Sequence, residues 1–439
     1  MDNNEFDVIV VGSGASGATL ARDLSRRGLK VLLLERGAAR TMTEKLSDIA
    51  AIAREFPVAE GPGAGRMKAT TAYTVGGATS IYFGVCKLPT AETFDKLGID
   101  LTHELEEVRR ELPIADVTDA FLPPQSIAVR DSARALGYPM KMHPMLIDTS
   151  KCPQGRYAYE AKWKATDFLN EAVANGTRLV TRARVERVIV EGGRAAGVEY
   201  RDGQGGGLRK ARGRKIVLCA GSPATPGLLT GAGIADVGSR GFFCKPAFMV
   251  FGSLPGLAGR DAFLGMTECD LGNGVTLGDG AMTASLFKLF MLSNLKPLRM
   301  FAHASTVSVA VALNDAQGGT IDAAGRYRKH IGPEELDKLK AAEGIARRIL
   351  ENAGARGIFR SKYVAGTPGG VLWVGAHLDR DLQTRIPDLY VCDQSLVPDV
   401  KITPLVLLVC LARRLANHLA LSLREPAVPE AAPSAAVVA

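Results

Sequence analysis

The sequence predicts an α/β protein: a Rossmann-type domain on a parallel sheet, joined to a second domain built on a mainly antiparallel sheet. Three observations carry this. The apolar run 6–11 feeds directly into Gly12-x-Gly14-x-x-Gly17. A helical stretch and a second apolar run, 31–34, follow and end on Glu35. From 248 to 314 the pattern changes to alternating apolar stretches such as 306–313, the period of half-buried antiparallel strands.

The elements follow in order. Residues 6–11, broken only by Asp7, read as a buried parallel strand. A helix over 18–27 places Ala18, Leu20, Ala21 and Leu24 on an inner face, and Gly28 ends it. The strand 31–34 completes a βαβ unit. A Gly/Pro-rich loop at 61–65 and the turn Val75-Gly76-Gly77-Ala78-Thr79-Ser80 come next. Helices are predicted over 101–112, 126–136 and 163–175. A β-meander covers 179–215, turning at Glu191-Gly192-Gly193 and at 202–207, and a strand over 216–220 ends at Gly221-Ser222. Pro333 opens an amphipathic helix to residue 353, with Glu334 and Glu335 in its first turn and Gly354 at its end. A short strand at 389–392 precedes Thr403-Pro404, where Thr403 can cap a final helix reaching residue 419. The Pro/Ala-rich tail 425–439 reads as disordered.

Composition narrows the class. The 439 residues suffice for two or three domains. With 46% hydrophobic and 23% charged residues the chain is globular, not collagenous or mainly disordered. The net charge of +8 is spread along the chain and interleaved with acids, which favours anionic ligands or surfaces and gives no ground for a nucleic-acid partner. Arg209, Lys210, Arg212, Arg214 and Lys215 read as an exposed hairpin face. Seven cysteines are scattered with no CxxC pair, so a reducing compartment is expected and no metal site. Residues 1–5 leave no leader segment before the first strand, and no uninterrupted apolar run approaches the roughly 20 residues that span a bilayer. A cytoplasmic protein is the expectation. Residues 287–301 mix Phe287, Phe290, Leu295, Leu298 and Phe301 with Lys288, Lys296 and Arg299, and no acid occurs from 280 to 314. That stretch reads as a core-facing element with charged edges; contact with an anionic membrane surface and the mouth for an apolar substrate are the other readings.

The glycines of the first motif have distinct tasks. Gly12 permits a tight turn, Gly14 lets the backbone approach a pyrophosphate, and Gly17 lets the helix pack on the strand. The helix N-terminus favours phosphate charge. Glu35, eighteen residues beyond Gly17, can accept from ribose hydroxyls. This context predicts dinucleotide binding but does not separate FAD from NAD.

The later segments do. Four stretches, 10–37, 75–84, 218–229 and 389–420, occur in the order found in the GMC (glucose–methanol–choline) flavoprotein oxidoreductases, and the sequence resembles that family, especially its shorter, cholesterol-oxidase-like members. The resemblance implies noncovalent FAD in a domain assembled from 1–95, 150–245 and 385–424, with a helical insertion at 96–149, a substrate domain at 246–384 and the tail at 425–439. It implies cofactor contacts from Gly12, Gly14, Ser16, Gly17, Glu35 and Arg36 at the first turn. Gly76, Gly77 and Ser80 would run along the pyrophosphate and flavin, Val185 would meet the adenine, and Ala220 and Gly221 the adenosine half. Asp393 would lie near the ribityl–pyrophosphate. Thr403, Pro404 and Leu405 would bring the positive end of the final helix to the flavin N1–C2=O edge, stabilising the anionic reduced form by roughly a kilocalorie or two per mole.

The chain departs from the family at its chemistry. A His near flavin N5 is replaced by Gly366-Thr367-Pro368-Gly369-Gly370, and the second His or Asn by Thr403. Tyr82 stands where the family often has Asn, and Cys244-Lys245-Pro246 where it has an acidic–His–Pro turn. A hydroxyl does not titrate near neutral pH, so Thr403 cannot replace an imidazole as base. His377 is close in sequence to the lost position, and Tyr363 and Tyr82 can donate to a carbonyl or phenol oxygen. His377, Tyr363, Tyr82 and Thr403 are therefore the catalytic candidates. His303 reads as a strand or core histidine, and Lys245 as a solvated lysine or the partner of an anionic group.

The expected function is hydride transfer between a small-molecule apolar substrate (alcohol, enol or cyclic ketone) and flavin N5, with an electron acceptor other than oxygen. Loss of both family groups leaves two further readings open: an FAD-dependent isomerisation, elimination or cyclisation without net redox change, and flavin binding without catalysis.

Overall fold

A computed structural model describes residues 5–203, 205–322 and 324–424; the tail read as disordered lies outside them. Phe6–Val11 is the centre of the first sheet because Val8 to Val11 are apolar on both faces and wholly or nearly buried. It pairs in parallel with Val31–Leu34 on one side and with the end of Leu208–Leu218 on the other. Arg178–Val180 and Leu389–Val391 extend the parallel set at either edge. The helix Ala15–Ser25 is buried along its length, between Ala165–Ala174 and the C-terminal helix Pro404–Arg424.

Leu208–Leu218 is one strand with two partners. Its first part pairs antiparallel with Arg194–Asp202, which pairs with Ala183–Glu191. From Gly213 onward it pairs in parallel with the first strand. The separate strand expected at 216–220 is thus the end of the third meander strand, and 178–180 leaves the meander for the parallel sheet. A Cβ at Gly213 would stand 2.8 Å from Ile9 Cγ1, so only glycine lets the two strands meet where the partner changes. The basic residues of this strand are matched by acids: Arg209 with Asp202, Lys210 with Glu199, Arg212 with Glu191, Arg214 with Asp7 and Lys215 with Asp388.

The second sheet is antiparallel, in the order Arg356–Arg360, Pro246–Ser253, Thr306–Leu313, Val275–Asp279, Thr267–Asp270, Lys141–Met142. Alternation sorts its side chains. Phe248 and Val250 face the helices Pro124–Ala135 and Pro333–Asn352, while Met249 and Phe251 face the helix Ala284–Ser293 through Phe287 and Met291. Segment 96–149, expected as a helical insertion, is divided between the layers. Thr102–Glu111 sends Val108 into the core of the parallel sheet; Pro124–Ala135 sends Val129 and Ala133 into the second core, and Lys141–Met142 adds a strand there. The Gly/Pro-rich loop at 61–65 is the turn of a hairpin, Ala53–Gly61 against Gly65–Ala72. All seven cysteines are buried and free.

Arg413 and Arg414 interrupt the apolar run of the C-terminal helix. As a whole it is nevertheless long and apolar enough to cross a membrane, the one such helix among the described residues, and 61% of its apolar window is buried inside the protein. It is locked to the first helix by an ion cluster. Arg22, fully buried, pairs with Asp23 at 2.8 Å and Glu111 at 2.6 Å, and its guanidinium lies 3.4 Å from the Phe168 ring centroid. Arg413 pairs with the same two acids. Arg22→Met leaves part of this acidic pair buried without its cation. It is expected to cost about 3–5 kcal/mol, read as a lower urea midpoint at unchanged slope.

Candidate functional site

A cleft of about 680 Å³ opens where the parallel strands end, within the size range of cofactor sites. Gly12 has φ +103°, and a Cβ there would meet the Cys219 carbonyl oxygen at 2.3 Å; a Cβ at Gly17 would meet the Gly12 carbonyl oxygen at 1.9 Å. These two glycines are demanded by the turn itself. Gly14 differs: nothing lies within 4 Å of a Cβ, so its bare backbone leaves room on the cleft side, at the N-terminus of the first helix.

Glu35 binds this turn from behind. Its Oε2 accepts from the Ser13 amide (3.0 Å) and hydroxyl (2.6 Å), and its Oε1 from the Gly37 amide (2.6 Å). Burial pushes its carboxyl up, against the pull of those donors. Its capacity to accept from a ribose is therefore shared with holding the turn. Ser13 Oγ in turn accepts from the Gly76 amide (3.1 Å), which stitches the second glycine loop over the first. Arg36 lies 4.1 Å from the Tyr73 ring centroid and donates to its hydroxyl, forming one wall.

Asp393 closes the far side. Its Oδ2 accepts from the Gly221 amide (2.9 Å) and the Thr225 hydroxyl, and its Oδ1 from the Ser395 amide (2.9 Å). Burial pushes this carboxyl up as well. Among the described residues Ser222 Oγ, buried on the cleft wall, has no hydrogen-bond partner, and the buried Ser16 hydroxyl meets only the Cys392 thiol. The C-terminal helix begins at the cleft. Thr403 does not cap it, because its hydroxyl accepts from the Lys87 amide (3.1 Å) and its own amide donates to the Lys87 carbonyl (3.2 Å). The positive end of that helix stays uncapped by Thr403 beside the cleft-lining Pro404 and Leu405. Two helix N-termini, a glycine gap and the unpaired Ser222 hydroxyl fit a dinucleotide with an anionic middle.

Gly12, Gly14, Ser16, Glu35, Arg36, Gly77, Val185, Ala220, Gly221, Asp393, Thr403, Pro404 and Leu405 line the cleft. Gly17, Gly76 and Ser80 stand behind the lining, against Gly12, Ser13 and Tyr159. Among the catalytic candidates the structure brings Tyr82 and Thr403 to the cleft, but not His377 or Tyr363. His377 is buried, with Nδ1 accepting from the Trp373 amide (3.0 Å) and Nε2 lying 3.0 Å from the Asp236 carbonyl oxygen. Both nitrogens are spent holding two loops together. Tyr363 packs edge-on against Phe248 (5.3 Å) with Arg360 over its ring, at the second sheet. Tyr82 donates to the Leu146 carbonyl (3.0 Å), and burial pushes its phenol well up, so it holds its proton. His303 Nε2 is 2.8 Å from the Met282 carbonyl oxygen, a structural contact.

The cleft also contains a group that sequence reasoning left outside the candidates. Lys245 lines it, and its ammonium has no ion pair or hydrogen bond among the described residues. Burial, and then the charge of Lys87, push its pKa below the ordinary 10.5. Lys87 pairs with Glu268, and His143 Nε2, with no other partner among the described residues, stands 3.9 Å from the same carboxylate. Burial and Lys87 hold the His143 pKa down. Only the Cys244-Lys245-Pro246 departure signalled this cluster. Its other members come from segments far apart in the chain.

Fold and cleft together define a dinucleotide-binding α/β protein of the flavin oxidoreductase class. Residues 6–242, more than half of the chain, match the GMC oxidoreductase family, and the chain belongs to that family, whose cofactor is FAD. It is 28% identical over 403 residues to an uncharacterised GMC-type oxidoreductase of Mycobacterium tuberculosis (strain ATCC 25618 / H37Rv), covering 83% of this chain and 62% of that one. It is 23% identical over 408 residues to a long-chain-alcohol oxidase of Arabidopsis thaliana, covering 80% and 53%. The chain therefore spans less than two thirds of the length of these relatives. Its fold is similar to that of pyridoxine 4-oxidase from Mesorbium loti (TM-score 0.68, 16% identity, covering 94% of this chain and 99% of that one). It is also similar to an Aspergillus oryzae RIB40 formate oxidase (TM-score 0.73, 14% identity, covering 96% and 99%).

The glycines separate cofactor binding from folding. Gly14→Ala is expected to lower the thermal midpoint by no more than about a few degrees, since a Cβ there meets nothing within 4 Å and only the N-cap preference is lost, yet to weaken FAD uptake at least about tenfold. Gly12→Ala is expected to lower the midpoint sharply. Calorimetry and flavin titration of the two variants check this.

Proposed function

We propose that the protein is an FAD-dependent oxidoreductase acting on a largely apolar alcohol, with Lys245 as the proton acceptor in place of the family's imidazole. The observation that carries this reading is an unpaired lysine on the wall of the cofactor cleft, where the chain lacks the expected histidine. When bound, FAD supplies the hydride acceptor at its N5. Neutral Lys245 takes the hydroxyl proton: the O–H bond breaks, an N–H bond forms, and the carbinol carbon gives up its hydrogen with the bonding pair to become a carbonyl carbon. An enol offers Lys245 the same oxygen, and a cyclic ketone the reverse reaction.

The neighbours suit that task. Lys87 disfavours a second cation beside it and so favours the neutral amine, while Glu268 and Asp399 offset the charge once the proton arrives. Phe243, Val400 and Ile402 line the cleft with Lys245, and they suit an apolar substrate body. The similarity to a long-chain-alcohol oxidase supports the same substrate class.

Anaerobic mixing with medium and long alcohols is expected to bleach the flavin. Lys245→Met should slow that bleaching by about a hundredfold or more while FAD remains bound. Because the neutral amine is the active form, the rate rises with pH and levels off above a midpoint lower than 10.5. Absence of bleaching with any alcohol, enol or cyclic ketone would sink the redox reading. Turnover with a redox-inactive flavin analogue would establish isomerisation, elimination or cyclisation instead. Peroxide formation in air would show that dioxygen is the electron acceptor.

A further inference from the structure

We infer that the segment 284–301 docks the protein onto an anionic lipid bilayer, with Leu295, Leu298 and Phe301 entering the interface and Lys288, Lys296 and Arg299 meeting the headgroups. The helix Ala284–Ser293 is fixed to the second sheet by Phe287 and Met291. It then ends in a Schellman motif: the Leu295 amide donates to the Leu292 carbonyl (3.0 Å) and the Lys296 amide to the Met291 carbonyl (2.9 Å). Leu295 itself has φ +57°. Glycine or asparagine normally takes that place. Here a leucine accepts the unfavourable backbone and stands 80% exposed.

A 3₁₀ turn, Pro297–Phe301, follows, and residues three apart are eclipsed in such a turn. Leu298 is 90% exposed and Phe301 86%. With Leu295 they are the three most exposed large apolar side chains among the described residues, and half-exposed Leu292 precedes them at the same spacing. Single exposed leucines are ordinary on a soluble surface; a row of this kind is not.

The flanking charge decides between occupants. Lys288, Lys296 and Arg299 have no acidic partner among the described residues, whereas most cations of the meander strands have one. Lys296 and Arg299 lie 4.7 Å from the Phe359 ring centroid, which holds their charges beside the apolar row. No acid occurs from 280 to 314. A protein partner would have to neutralise three cations around a ridge of separate tips. An anionic bilayer supplies both the apolar interior and the counter-charge.

The full chain, loaded with FAD, is tested by sedimentation with vesicles of phosphatidylglycerol and phosphatidylcholine. Partition into the mixed vesicles is expected, weakening with added salt and falling about tenfold or more in pure phosphatidylcholine. Leu298→Ser with Phe301→Ser should abolish it without changing flavin content. Phe301→Trp should give emission that shifts to the blue when mixed vesicles are added. Failure of the wild-type chain to partition, or equal partition of the serine variant, overturns the inference. So does a dimer in solution that the serine pair converts to monomer with vesicle binding unaffected.

Discussion

Glu35 ends the second strand inside the protein, where an ionised carboxylate is costly to bury. Three donors hold it there, the amide and hydroxyl of Ser13 and the amide of Gly37, and bonds of this charge-assisted kind are short and strong. Because Ser13 sits between Gly12 and Gly14, the carboxylate fixes the first turn. Because the Ser13 hydroxyl also accepts from Gly76, it fixes the second glycine loop against the first. The open side of Gly14, the approach of Gly77 to it and the entry angle of the first helix all follow from this one anchor.

The proton acceptor proposed for the cleft differs in kind from the imidazole that the family resemblance implies. An imidazole exchanges protons near neutral pH, whereas a lysine ordinarily stays cationic. Lys245 departs from the ordinary because it is desolvated and has another cation nearby. Lys87 is itself paired with Glu268, whose charge raises the Lys245 pKa against the lowering by burial and Lys87. Thr403, bonded on both sides to the Lys87 backbone, ties the start of the C-terminal helix to the same cluster.

The parts of this protein that depend on neighbours in the chain were legible before the structure. The first turn, the helix behind it, the alternating strand at 306–313 and the proline-led helices are local patterns, and the second sheet followed from that alternation. Three features were not legible. His377 is a loop staple because Trp373 and Asp236 surround it, contacts that no spacing reveals. Tyr82 is an anchor because its hydroxyl donates to the Leu146 carbonyl, a contact that no spacing reveals. Lys87, His143, Lys245 and Glu268 converge only once two sheets are folded together. The exposed row at 292–301 was visible as composition, but its outward direction comes from the αL residue Leu295.

The single strand Leu208–Leu218 has a consequence for how such a chain can be rearranged. Its first part belongs to the meander and its last part to the nucleotide-binding sheet, with Gly213 at the changeover. The meander is therefore not an exchangeable cassette. A chimera cut between 213 and 218 would interrupt the parallel ladders to Phe6–Val11 and Leu389–Val391, and a graft would have to carry the whole strand together with Phe6–Val11, whose Ile9 is shaped to that glycine.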